Sequence, residues 1–144
     1  MENISQHEMR VGANTLLVIA AVDTINGCIS QRPLRALVDT GLKRSFTYKS
    51  ALPKLCRPNK TDRDYSTALL DRTTITNRQV VLNDIVLLEF NSSRKITQPC
   101  TMLVAETNAG SFNVVLGQDV NVTLGIDVIN TRKVCSWMRD EVPF

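Results

Sequence analysis

Short apolar runs separated by polar, turn-forming clusters make up most of the chain, and their brevity points to strands rather than helices. The first run, TLLVIAAV, spans 15–22. It leads to Asn26-Gly27, the strongest short-range hairpin dipeptide, and a return strand is expected over 33–38, PLRALV. Asp39 therefore falls at the far end of the hairpin's second strand. Residues 45–55 read as a short strand or turn interrupted by Pro53, and 56–66 as a turn-rich surface connection. The loosely alternating, Thr- and Ile-rich 66–82 predicts two strands meeting near Leu70, Asp71 and Arg72 in a projecting hairpin. Further strands are expected over 84–90, 96–106 and 112–117, with polar turns between them.

Helical spacing is found in 117–125, where Val120 and Leu124 lie at i, i+4 and Gly125 closes the segment. The stretches IDVIN, VCSWM and EVPF that follow look extended. Eight or more closely spaced strands and one small helix predict an all-β barrel or sandwich. Residues 1–12 are expected to be a flexible polar lead-in, and 13–144 a single domain.

Composition narrows the function. At 144 residues, 43% hydrophobic and 22% charged, the chain is long enough to bury its own core and unlike a disordered one. The net charge of +3 is slight and its Lys and Arg are scattered, so a nucleic-acid surface is not indicated. Cys28, Cys56, Cys100 and Cys135 lie far apart, and the one histidine, His7, sits in the polar lead-in. This pattern argues against zinc and against a Cys-His nucleophile. With no signal peptide visible, the cysteines read as reduced packing residues of an intracellular, cytoplasmic protein. The longest apolar run is too short to span a bilayer, so no membrane role is expected.

The candidate chemistry lies in RALVDTGLKRSF, residues 35–46. An apolar strand carries Asp39 into Thr40-Gly41. A general base needs a carboxylate beside a water, held by donors that fix its orientation. Gly41 permits a tight turn whose amide approaches that carboxylate, and Thr40 offers a hydroxyl that ties neighbouring backbone together. Ser45 has no evident base partner, so serine hydrolase chemistry is not expected. Asp84, Asp119 and Asp127 read as solvated or capping carboxylates, and Trp137 as a packing residue.

A second block, VVLGQD at 114–119 running into LGIDV at 124–128, is what gives the aspartate its context. Together, ALVDTG followed far downstream by VVLG and a short helix resembles the retroviral-type (retropepsin-like) aspartic proteases. The likeness is strongest to the protease segment of gypsy-type long-terminal-repeat retrotransposon polyproteins. It covers roughly residues 13–144, including the NG turn before the catalytic block and the tail with Trp137 and Pro143-Phe144.

The resemblance implies a homodimeric, retropepsin-like barrel. One D-[ST]-G is present, since Asp23-Thr24 is followed by Ile25, and this hydrolysis needs two facing carboxylates. Asp39 is then the catalytic residue, supplied once by each chain across a two-fold axis. Thr40 and Gly41 support the site. Residues 66–81 form the flap, with its tip near Leu70, Asp71, Arg72 and Thr73, and Leu42 borders the cleft. The implied substrate is an extended peptide of a polyprotein, and the implied location is cytoplasmic or within retrotransposon particles. The chemistry requires no metal or other cofactor.

Three positions depart from the family pattern. Leu42 stands where Ala or Ser is usual, and its bulk is expected to crowd the cleft or the partner subunit. The tip Leu70–Thr73 has no glycine, so it has fewer accessible backbone conformations. Gln118 stands where arginine often buttresses the active-site loop. These departures motivate an alternative, a catalytically impaired dimerisation or peptide-binding module on the same fold. A third reading is a ubiquitin-pathway protease domain of that fold.

Overall fold

The computed structural model describes residues 15–69, 72–90, 95–106, 112–129, 133–137 and 140–143. The expected flexible lead-in, residues 1–12, lies outside them. The chain begins with β1 (Thr15–Ile25), turns on Asn26-Gly27 and returns through β2 (Cys28–Ile29) and β3 (Leu34–Asp39). Asn26 and Gly27 have φ of 49° and 79°. Two positive φ values in succession make the type I′ turn that matches strand twist, and this dipeptide tolerates it best. Next come β4 (Phe46–Tyr48), a single 3-10 turn (Lys49–Ala51), β5 (Asn59–Leu69) and β6 (Arg72–Leu87). The chain continues through β7 (Cys100–Ala105), β8 (Val114–Leu116), α1 (Gln118–Leu124), β9 (Ile126–Ile129), β10 (Val134–Trp137) and β11 (Asp140–Pro143).

The first eight strands form one sheet in the order β2-β1-β3-β8-β4-β7-β6-β5. β1 changes partner along its length. Its first half pairs with β3, from Thr15↔Asp39 to Ala20↔Leu34, and its second half with β6, from Ala20↔Leu87 to Ile25↔Leu82. The β1–β6 pairing closes the sheet on itself, and β5 is left attached to β6 alone. The last three strands form a separate antiparallel sheet, β11-β10-β9. The architecture is all-β with one short helix, as the patterning predicts.

Three strands explain why the motif blocks read as unbroken apolar runs. In β3, β7 and β8 alternate side chains enter two different cores. Ala36, Val38, Met102, Val104, Val114 and Leu116 face the larger cluster, while Leu37, Leu103, Ala105 and Val115 face a smaller one with Phe46, Tyr48 and Phe112. Val38 and Ala36 have no exposed surface, and full burial of a valine side chain is worth about 1.5–3 kcal/mol. β3 lies between β1 and a parallel partner, β8, in the register Ala36↔Val114, Leu37↔Val115, Val38↔Leu116. Thus the strand that delivers Asp39 is hydrogen-bonded on both edges and packed on both faces. Trp137 is buried in the larger cluster, edge-on to Phe90 at 5.8 Å, which is the packing role expected of it.

Several segments differ from expectation. Residues 59–66 are not a surface connection but the first part of β5. Their Asn, Lys, Asp and Arg suit an edge strand that pairs on one side only, and the register slips between Lys60 and Tyr65. The strand expected at 84–90 is the end of β6, which runs unbroken to Leu87. Asp84, at φ 58°, bends it without ending it. Across that bend and the facing Asp23, the buried set changes from Ile25 and Leu82 to Val22 and Ile85. The strand expected over 96–106 starts at Cys100, with Ile96 making an isolated bridge to Ile85.

Candidate active site

Asp39 ends β3, half-buried, where the two pairings that hold the strand run out. One carboxylate oxygen, Oδ1, accepts the Gly41 amide at 2.9 Å, and the Asp39 carbonyl accepts the Leu42 amide at 3.4 Å. A methyl group on residue 41 would sit 3.4 Å from the same Oδ1, so glycine keeps that side of the carboxylate open. The turn thus fixes the carboxylate's orientation by one main-chain donor, as a general base requires.

The VVLG block holds this turn from behind. A Cβ at Gly117 would lie 2.8 Å from the Leu42 carbonyl oxygen and 2.9 Å from the Arg44 carbonyl carbon. Glycine is therefore demanded by close backbone approach. The approach is used, because Gln118 donates its amide to the Leu42 carbonyl at 2.7 Å and Asp119 donates its own to the Lys43 carbonyl at 3.2 Å. Gln118 also reaches under the Asp39 turn, its Nε2 donating to the Thr40 carbonyl at 2.8 Å. A buttress expected of arginine is thus supplied by an amide.

Asp119 and Ser45 complete the clamp. Asp119 Oδ1 accepts from the Ser45 hydroxyl at 2.6 Å, the Ser45 amide at 2.9 Å and the Val120 amide at 2.8 Å. The buried Ser45 hydroxyl oxygen in turn accepts the Gly117 amide at 2.8 Å. Asp119 does accept a first-turn amide of α1, but its second duty, holding the loop after the Asp39 turn, depends on a partner 74 residues away. Patterning has no access to that. Asp84 lies at the bend of β6 and Asp127 is exposed on β9.

Leu42 is half-buried and packs against the smaller core beside Tyr65, so that cluster takes up part of its bulk. Tyr65, on β5, was not singled out by sequence patterning. Its ring lies under the Arg44 guanidinium at 4.4 Å and the Arg63 guanidinium at 5.0 Å, tying the outer strand of the hairpin to the loop that follows the Asp39 turn. Its hydroxyl donates to Asp62 at 3.1 Å. Tyr48, buried beneath in the smaller core, has its pKa pushed up to about 12 by burial.

The expected projecting hairpin is β5/β6, paired outward to Leu69↔Arg72. Of the expected tip, Leu70 and Asp71 lie outside the described residues. Arg72 and Thr73 open β6 opposite Leu69 and Ala68. A cavity of about 250 Å³ lies behind the clamp, between Arg44, Tyr65, Gln79, Asp119 and Leu124, and does not include Asp39. Among the described residues no three His, Cys, Asp or Glu side chains cluster to hold a metal. Among them, too, no helix is long and apolar enough to cross a membrane.

Solved structures share this fold. The chain superposes on the retroviral protease-like domain of Ddi1 from Leishmania major with a TM-score of 0.55, at 15% identity, over 91% of this chain and 90% of that one. The fold is retropepsin-like. The protease of EIAV, solved with the inhibitor HBY-793, is also similar, at 21% identity and a TM-score of 0.45, over 81% of this chain and 93% of that one. No protein-family model matches the sequence, and no curated protein does. Within this retropepsin-like fold the two motif blocks meet. Asp39, Thr40, Gly41 and Leu42 form one turn, and Gly117 and Gln118 lock it.

Proposed function

We propose that the protein is an aspartic endopeptidase that acts as a homodimer, with Asp39 of each chain forming the catalytic pair. The observation that carries this reading is the Asp39 carboxylate at the end of a doubly paired strand, oriented by the Gly41 amide and clamped from below by Gly117 and Gln118. Two carboxylates about 3 Å apart repel by about 5 kcal/mol at an effective dielectric near 20. The pair therefore keeps one proton over a wide pH range, and its titration belongs to the pair.

That shared proton defines the chemistry. One Asp39, ionised, takes a proton from a water lying between the two, and the water oxygen attacks the scissile carbonyl carbon. The other Asp39, protonated, gives its proton to the carbonyl oxygen as the tetrahedral species forms. Collapse of that species, with proton delivery to the leaving nitrogen, breaks the C–N bond. The substrate is an extended peptide laid as a strand between the catalytic turns and the β5/β6 hairpins. The VVLGQD and LGIDV blocks favour a retrotransposon-type polyprotein as its source. The cleft then forms between two chains.

Cleavage of polyprotein junction peptides by the purified protein, beside Asp39→Asn, tests the reading. Cutting by the wild type alone supports it. Equal cutting by both, or none by either from acidic to neutral pH, overturns it. A second reading, a dimerisation or peptide-binding module of impaired activity, is favoured by Leu42. It predicts peptide binding that survives Asp39→Asn and a gain of cleavage in Leu42→Ala. A domain of the Ddi1 kind is a third reading, favoured by that superposition.

A further inference from the structure

The thiols that the catalytic site leaves unused are not scattered in space. Cys28, in β2 directly after the Asn26-Gly27 turn, and Cys56, ahead of β5, are both half-buried free thiols. Beyond the effect of burial, Cys28 lies close enough to Cys56 to raise the pKa of its thiol. A separate set of bonds holds the same two segments together. Asn26 Nδ2 donates to the Arg57 carbonyl and to Asn59 Oδ1, both at 2.9 Å. Asn26 also exchanges bonds with β6, its amide donating to the Val81 carbonyl at 2.8 Å and its Oδ1 accepting the Val81 amide at 2.7 Å. The hairpin turn is thereby docked on the root of both strands of the β5/β6 hairpin. Cys56 is fixed further by its amide bond to the Pro53 carbonyl, at 3.0 Å, and by packing on the larger core.

We infer that Cys28 and Cys56 are a reversible disulfide site that staples the Asn26-Gly27 turn to the root of the β5/β6 hairpin. A disulfide is favoured where the backbone already holds two cysteines side by side, because closing it then strains little. The oxidant is a low-molecular-weight disulfide such as oxidised glutathione. One cysteine thiolate attacks a glutathione sulfur, expelling one glutathione thiolate and leaving a mixed disulfide. The second cysteine attacks the protein-bound sulfur and expels the other glutathione. Two protein thiols are oxidised and one glutathione disulfide is reduced to two thiols. Burial first, and the neighbouring Cys28 second, raise the pKa of the Cys56 thiol, which slows exchange near neutral pH without preventing it. Both residues are partly exposed, which gives small disulfides a route to them.

The full chain is equilibrated with reduced and oxidised glutathione at a series of ratios, alkylated, digested without reduction and mapped by mass spectrometry. The inference predicts a linked Cys28–Cys56 peptide lacking two hydrogens, cleared by dithiothreitol. It also predicts a Tm for the oxidised protein higher by about 5–10 °C. Cys28→Ser should show a glutathione adduct on Cys56 and no rise in Tm. Full alkylation of both thiols after equilibration with oxidised glutathione overturns the inference, as does pairing of either cysteine with Cys100, Cys135 or a second chain. Because the readouts are a covalent link and a melting temperature, the outcome is independent of any peptidase activity.

Discussion

Ser45 shows how much one small side chain carries here. Its hydroxyl donates to Asp119 and accepts the Gly117 amide, and it has almost no exposed surface. Ser45→Ala leaves a buried amide without an acceptor, so unfolding in urea should show a loss of about 1–3 kcal/mol. Gly117→Ala acts through space instead, because its Cβ would collide with main chain at 2.8 Å. A loss of about 3 kcal/mol is expected, together with displacement of the turn that carries Asp39. Tyr48 gives a prediction in pH. Its folded-state pKa, about 12, lies above the ordinary value of 10.0, so between these pH values the unfolded chain ionises first. Stability is complete below about pH 10 and falls by about 2–3 kcal/mol as pH rises to about 12. Tyr48→Phe should remove that decline, as chemical denaturation across the range would show.

At the scale of elements, the parts that local chemistry dictates were readable in advance. Asn26-Gly27 requires its turn, the apolar 33–38 requires a strand ending at Asp39, and the spacing of Val120, Leu124 and Gly125 requires the short helix. What escaped is what long-range pairing decides. β5 is a run of polar residues that becomes a strand because β6 offers it a ladder, and β6 crosses Asp84 because β1 pairs on both sides of the bend. Within the site, Asp39, Gly41 and Gly117 stand out in the motif. Tyr65 and the second duty of Asp119 do not, since each acts through a contact remote in sequence. Tyr65→Ala removes the ring that both Arg44 and Arg63 stack on and loosens β5 from the loop after the Asp39 turn. A stability loss of about 1 kcal/mol is expected. If the protein is the proposed peptidase, KM should rise several-fold with kcat less affected, because the hairpin would then position substrate while Asp39, oriented by the Gly41 amide, acts on it.

For the whole molecule, the decisive features are the closed β1–β6 pairing and a single Asp-Thr-Gly turn per chain. The closed sheet gives a rigid floor, and Asp39 is delivered to its rim by a strand with no freedom on either edge. The fold is shared with retroviral protease-like domains at low identity. One carboxylate per chain then makes the number of chains in the active unit the central claim. The direct test holds the wild-type concentration fixed, well above that needed for dimerisation, and adds Asp39→Asn chains while cleavage of a junction peptide is followed. If two Asp39 carboxylates from two chains act together, an equal amount of the variant lowers activity to about half. A large excess abolishes it, as wild-type chains are drawn into pairs with one carboxylate. Activity unchanged by the added variant would contradict the account.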